Sequence, residues 1–200
     1  MSSHLIVMAL EIESQGVFEG AGVPVLFTGV GKVNAAHALT RKLAEIRHAG
    51  HALPHVINFG TAGSHTFATG TLVACHSFVQ RDMDVTALGF ARGTTPFDAA
   101  PPVLEFPETF THLPQGVCSS ADAFETRGPE VACDVLDMEA YALAKVCHLE
   151  AVRFTCVKYI TDGADHAAAV DWEANLPKAA AEFLAIYRLM ESSPALPPGR

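Results

Sequence analysis

Acidic and hydroxyl side chains recur just behind the apolar runs of this chain. Glu11 and Glu13 follow the run that starts at Leu5. Thr61 and Gly63 follow His55–Phe59, and Asp122 follows the segment around Cys118. Asp137, Met138 and Glu139 follow Cys133, and Thr161 and Asp162 follow Val152–Ile160. If the apolar runs are strands, each polar group lies at a carboxyl end, where open α/β sheets bind ligands. A single acid near a turn is ordinarily a cap or a solvated charge. Five such places in one chain point instead to a ligand rim of carboxylates and hydroxyls, groups that accept hydrogen bonds and carry protons. Nothing points to a metal or a cofactor. The one HxxxH among the ten histidines, His51 to His55, carries Pro54 and so does not present both rings on one helix face; no His/Cys cluster stands at ligand spacing, and no Walker loop or dinucleotide fingerprint occurs. Gly29-Val30-Gly31 is a lone GxG and reads as a tight turn.

The elements that must hold this rim are legible from periodicity. Leu5–Met8 and Val23–Thr28 read as short strands. After Gly31 a helix starts near Lys32, with Ala35, Leu39, Leu43 and Ile46 on one face, and Gly50 ends it. His55–Phe59 is a strand running into a tight glycine turn at Gly60-Thr61-Ala62-Gly63. Thr71–Cys75 and Gly116–Ser119 are further strands, Met138–Cys147 is a helix, and Val152–Ile160 is a central strand with Arg153 and Lys158 inside it. Between Gly89 and Pro114 five prolines favour loop. A last helix ends by Met190, with Pro177 best placed in its first turn. Strands alternating with helices predict a single α/β domain over residues 1–191, a central mixed sheet flanked by helices, and a flexible tail over 192–200.

Bulk composition narrows the partners. The chain has 200 residues, half of them hydrophobic and only 18% charged, enough to cover a sheet on both faces. Its formal net charge of −9 argues against nucleic acid and against anionic membrane surfaces, and leaves a small molecule as the fitting ligand. Five cysteines, an odd number with no CxxC, argue against a disulfide framework and for a reducing cytoplasm. The run Leu5–Leu10 is too short for a signal core or a membrane span.

Seven segments in order, from the first strand to the last helix, resemble the nucleoside phosphorylase/nucleosidase superfamily, and most closely its methylthioadenosine/S-adenosylhomocysteine nucleosidases. They are Ala9-Leu10-Glu11-Ile12-Glu13, Thr28-Gly29-Val30-Gly31-Lys32-Val33, Ile57 to Gly63, Asp82 to Phe90, Ser120-Ala121-Asp122-Ala123-Phe124, Asp137-Met138-Glu139-Ala140, and Ile160-Thr161-Asp162-Gly163-Ala164-Asp165. The resemblance implies a three-layer fold like that of the nucleoside phosphorylases, and hydrolysis of the N-glycosidic bond of an adenine nucleoside in methionine salvage. Such cleavage needs a better leaving group and a stabilised oxocarbenium-like ribose. By the same resemblance Asp162 is the general acid that protonates the purine, so it must hold a proton as the bond breaks. Glu139 takes the ribose hydroxyls, with the Met138 backbone alongside. Glu13 binds the attacking water, Thr61 helps place it, and Phe124 stacks on the base. Gly63 and Thr161 belong to the same strand ends. Leu10, Val30, Val85, Leu88, Phe90 and Trp172 match an apolar pocket for a 5′ substituent, part of which the partner of a homodimer supplies in the family.

The choice between water and phosphate rests on arginine. Phosphorylases grip phosphate with guanidinium forks. Asn58 stands at one such position, and no Arg or Lys lies between Glu13 and Gly31. Water is therefore the expected nucleophile. Three departures from the family pattern stand out. The stretch from Glu13 to Gly29 is short, Lys158 replaces an arginine near the water, and Glu125 replaces an apolar residue beside the base. Lys158 and Glu125 either pair, or Glu125 points outward and its backbone serves the base. The departures keep open three alternatives: a phosphorylase with an unusual phosphate site, a nucleosidase for another 5′-modified nucleoside, and a nucleoside-binding protein that has lost catalysis. The joint presence of Glu13, Glu139 and Asp162 speaks against the last, since binding alone does not need all three acids.

Overall fold

Short apolar runs pair side by side to make one mixed sheet. A computed structural model of the protein describes residues 4–107, 110–123, 130–163 and 168–192. In chain order the elements are β1 (His4–Met8), α1 (Glu11–Ser14), α2 (Val17–Gly20), β2 (Val25–Phe27), α3 (Lys32–His48), β3 (His55–Gly63), β4 (Leu72–Gln80), β5 (Val103–Glu105), β6 (Gln115–Ser120), β7 (Val135–Asp137), α4 (Ala140–Leu149), β8 (Phe154–Asp162) and α5 (Ala168–Ser192). The strand order is β2-β1-β3-β7-β6-β4-β5, and β8 inserts between β3 and β4, parallel to the first and antiparallel to the second. Because β3 meets β7 only through Gly63 and Leu136, strands β3, β8, β4, β6 and β7 close on themselves. At that seam lie the carboxyl ends of β3, β7 and β8.

Helices cover both faces. On one side Ala35, Leu39 and Leu43 of α3 and nearly all of α4 pack on Val7, Val56, Phe78 and Phe154. On the other, Ala179, Phe183, Leu184 and Tyr187 of α5, spaced three and four apart, pack on Ile6, Met8, Phe18 and Phe59. Phe59 anchors that layer, with ring centroids 5.7 Å from Phe18 and 5.3 Å from Phe183. The central placement of β8 is as its sequence requires: all nine residues are buried.

Three local expectations are corrected. Gly60–Gly63 is no turn, since β3 runs through it and pairs with β8 as far as Gly63. The glycine serves close approach: a Cβ on Gly60 would stand 3.0 Å from Lys158 Nζ. Pro177 lies inside α5 rather than in its first turn. There the helix forgoes one hydrogen bond, and its apolar face packed on the sheet offsets that loss. The proline-rich stretch after Gly89 contains the short edge strand β5, which pairs with β4. The tail expected over 192–200 lies, apart from Ser192, outside the described residues.

Candidate active site

Glu13 is fixed by the first strand end. One turn of helix after β1 swings its side chain back, so that Oε2 accepts from the amides of Ala9 (3.2 Å) and Leu10 (3.1 Å). Oε1 crosses to β3 and accepts from the Thr61 amide at 2.9 Å and the Thr61 hydroxyl at 2.8 Å. The carboxylate is buried, yet four donors replace its water shell. Trp172 of α5 donates its indole N–H to Thr61 Oγ1 at 2.8 Å, and Asn175 of the same helix donates to the Thr61-side neighbour strand at Thr161 O, 3.2 Å.

Asp137 and Lys158 form a fully buried ion pair at 2.8 Å. Asp137 also accepts from the Ser120 hydroxyl and from the Ala140 amide at 2.8 Å. Burial alone would raise the Asp137 carboxyl, but the Lys158 ammonium and these donors bring it below the ordinary carboxylate range. Burial alone would lower Lys158, but Asp137 before all others holds its ammonium above the usual lysine value. Lys158 thus has Asp137 as a partner, and the two alternatives raised for Glu125 fall on a residue outside the described ones. β7 and β8 both pair with β3 at Gly63, and that seam brings Asp137 and Lys158 together.

Glu139 follows β7 and accepts the Gly31 amide at 2.9 Å. Its carboxyl is pushed up to about 7, by burial first and by the Asp137 charge second, against the pull of Lys158 and the Gly31 amide. Gly31 itself has φ 94° and ψ 157°, a conformation open to glycine, and it caps α3. Lys32 next to it pairs with Asp82 and, at 3.1 Å, with Asp122, whose Oδ1 also accepts the Lys32 amide at 2.8 Å. Asp162 ends β8, buried, and accepts from the Thr161 hydroxyl at 2.8 Å.

Glu13, Thr61, Asp137, Glu139, Asp162 and Trp172 face one cavity of about 270 Å³. Of the expected residues it is lined by Leu10, Glu13, Val30, Thr61, Gly63, Met138, Glu139, Thr161, Asp162 and Trp172. Lys158 lies behind that wall. Val85, Leu88 and Phe90 are not in it: Leu88 is 71% exposed on the surface, and Val85 and Phe90 are half-buried. Phe124 and Glu125 lie outside the described residues. One buried charge in the wall was not foreseen. Arg81, directly after β4, donates to Ser119 O, to Asp137 O at 2.9 Å and to Ala123 O at 3.1 Å. Its place at a strand's carboxyl end, behind the apolar run Phe78–Val79, was the available signal. Among the described residues no group of His, Cys, Asp and Glu could hold a metal ion.

The arrangement sets the carboxyl groups of Glu13, Glu139 and Asp162, with the Lys158-paired Asp137, around a mostly apolar cavity. The cations nearest it are already engaged, Lys158 by a carboxylate and Arg81 by carbonyls. Such a cavity favours a neutral ligand that gains positive charge during reaction, and disfavours an anion.

Comparisons with known proteins agree in one direction. Residues 14–190 match the family model of the Phosphorylase superfamily. A 5′-methylthioadenosine/S-adenosylhomocysteine nucleosidase of Actinobacillus succinogenes is 33% identical over 90% of this chain and 84% of its own. Among solved structures, the Streptococcus pneumoniae MTA/SAH nucleosidase in complex with 8-aminoadenine superposes with a TM-score of 0.78 at 19% identity, over 92% of this chain and 96% of that one. The native futalosine hydrolase of Helicobacter pylori superposes with a TM-score of 0.76 at 23% identity, over 91% and 95%.

Proposed function

The chain belongs to the Phosphorylase superfamily and within it to the 5′-methylthioadenosine/S-adenosylhomocysteine nucleosidases, and from that premise we propose that it hydrolyses the N-glycosidic bond of a 5′-substituted adenine nucleoside and releases adenine. One observation carries the reading: Glu13, Glu139 and Asp162 share a single cavity with an apolar wall of Leu10, Val30 and Trp172. Asp162 is the acid that protonates the departing purine. Glu139 accepts the ribose hydroxyls and faces the cationic ring as it forms. Glu13 takes the proton of the attacking water, and the apolar wall receives the 5′ group. Phe124 stacks on the base.

Water is preferred to phosphate because no uncommitted guanidinium faces the cavity among the described residues, and an unpaired phosphate dianion beside three carboxyls would be repelled. The deciding experiment incubates the protein with methylthioadenosine, S-adenosylhomocysteine, adenosine and inosine, with and without phosphate. Free adenine and free sugar are expected at equal rates in both. A sugar 1-phosphate accumulating in phosphate buffer would sink the hydrolase reading.

The protein acts as a homodimer in the cytoplasm, in methionine salvage. For the first, the strip Val85–Phe90 presents Leu88 at the surface, and Phe97, 96% exposed, stands beside Phe90 with ring centroids 5.7 Å apart. For the second, none of Cys75, Cys118, Cys133, Cys147 and Cys156 is in a disulfide. No helix among the described residues is long and apolar enough to cross a membrane.

A further inference from the structure

The Glu13 carboxylate has no lone pair to spare. An ionised carboxylate offers about four acceptor sites. Here they are taken by the Ala9 and Leu10 amides on Oε2 and by the Thr61 amide and hydroxyl on Oε1. Three of these donors are backbone groups locked in place by β1, α1 and β3. Only the Thr61 hydroxyl can exchange its proton. Its direction is fixed as well: an indole N–H can only donate, so Thr61 Oγ1 must accept from Trp172 and turn its own proton to Glu13. One lone pair of Oγ1 is then left, and Thr61 lines the cavity.

We propose that the proton of the attacking water reaches Glu13 by way of the Thr61 hydroxyl, and that Trp172 is the positioning residue that aims this relay. This rests on the hydrolytic reading above. The water lies in the cavity and donates one hydrogen bond to Oγ1. As its oxygen bonds to C1′ of the ribose, its O–H breaks and that proton passes to Thr61 Oγ1, while the Thr61 proton passes to Glu13 Oε1. The C1′–N bond breaks, its electron pair leaves with the purine, and the purine takes the Asp162 proton. Thr61 ends as it began, Glu13 ends protonated and Asp162 ends ionised. The Trp172 N–H keeps the hydroxyl from turning away and leaves one geometry for transfer. Trp172 therefore has a task beyond forming an apolar wall.

The test is single-turnover cleavage of methylthioadenosine by Thr61→Val, Thr61→Ser and Trp172→Phe, each also read for KM and for solvent isotope effect across mixtures of light and heavy water. Thr61→Val keeps the shape and loses the relay, so the rate should fall about a hundredfold, the usual scale for lost proton transfer, with KM little changed. Thr61→Ser should stay within a few-fold of wild type. Trp172→Phe keeps the ring and loses the donor; its rate should drop about tenfold, with no further loss in the Thr61→Val background, since both would act on one group. The wild-type rate should curve with deuterium fraction, as two protons move together, and that of Thr61→Val should be linear. If water meets Glu13 directly, Thr61→Val opens an acceptor site on Oε1 and turns over at the wild-type rate or faster. That result, or strictly additive losses from Thr61→Val and Trp172→Phe, overturns the relay while the hydrolytic reading stands. Should Thr61→Val fail to fold, Trp172→Phe cleaving at the wild-type rate with an unchanged isotope curve overturns the aiming role. A wild-type protein inert toward every adenine nucleoside removes the reading and the relay with it.

Discussion

Glu139 sits between a buried anion and a glycine amide, and its carboxyl is pushed up to about 7 from an ordinary 4.5. Two consequences follow from its sign. The folded chain holds this proton over a pH range in which the unfolded chain has released it, so folding stability falls as pH rises from about 4.5 to about 7. Ribose hydroxyls donate to the carboxylate, so nucleoside affinity rises across the same window, and binding below about pH 7 expels a proton. Titrating Asp162→Asn with methylthioadenosine near pH 6, in two buffers of different ionisation enthalpy, should give different observed heats. Equal heats would remove the coupling. Asp162 carries the second prediction at this scale. Its replacement by Asn keeps the shape and loses the acid, so turnover should fall by about a hundredfold or more while binding stays measurable. Normal turnover would take Asp162 out of the mechanism.

The link between β2 and α3 shows how an element reaches the chemistry. Gly31 adopts φ 94° and ψ 157°, a region that L side chains avoid, and a Cβ there would meet Asp122 Oδ1 at 3.1 Å. Its amide is the donor to Glu139. Gly31→Ala is expected to destabilise the fold by about 1–3 kcal/mol from backbone strain. It should also raise the KM for nucleoside, because the Glu139 donor moves with the strained turn. Urea denaturation and steady-state kinetics measure the two effects. A variant as stable as wild type with an unchanged KM would show that the turn does not hold Glu139. The strand assignment of Gly60–Gly63 is the complementary case. A glycine pair reads as a turn by composition, but here it lets the Lys158 ammonium approach β3, where a Cβ would stand 3.0 Å away. Local propensity cannot register a neighbour supplied by a strand about a hundred residues later.

At the scale of the whole molecule, the apolar strip around Leu88 and Phe97 is uncovered in the single chain. Phe97 has φ 61°, a strained backbone for an aromatic residue, and it is 96% exposed. In the proposed homodimer these side chains are covered, at roughly 25 cal/mol per Å² of apolar surface hidden. Leu88→Asp should therefore weaken association in light scattering. It should also lower turnover on methylthioadenosine more than on adenosine, which lacks a large 5′ group. A fully active wild-type monomer would refute the shared interface. A dimer whose Leu88→Asp variant keeps its selectivity would refute the 5′ role of the strip alone.

The sequence by itself determined the alternation of the longer strands and helices, the membership of Ala35, Leu39 and Leu43 in the core, the buried central strand around Val157, and the family resemblance of the segments bearing Glu13, Glu139 and Asp162. All of these depend on short-range periodicity and on motifs a few residues long. The tertiary structure alone decided which charge answers which. Lys158 pairs with Asp137, because the closed sheet brings β7 and β8 to one seam. Arg81 turns inward to three carbonyls for the same reason. Trp172, read from sequence only as part of an apolar 5′ pocket, donates to Thr61 across 111 positions of sequence. Buried polar groups must find partners wherever the fold supplies them, and strand register, which one-dimensional pattern does not contain, sets what is supplied.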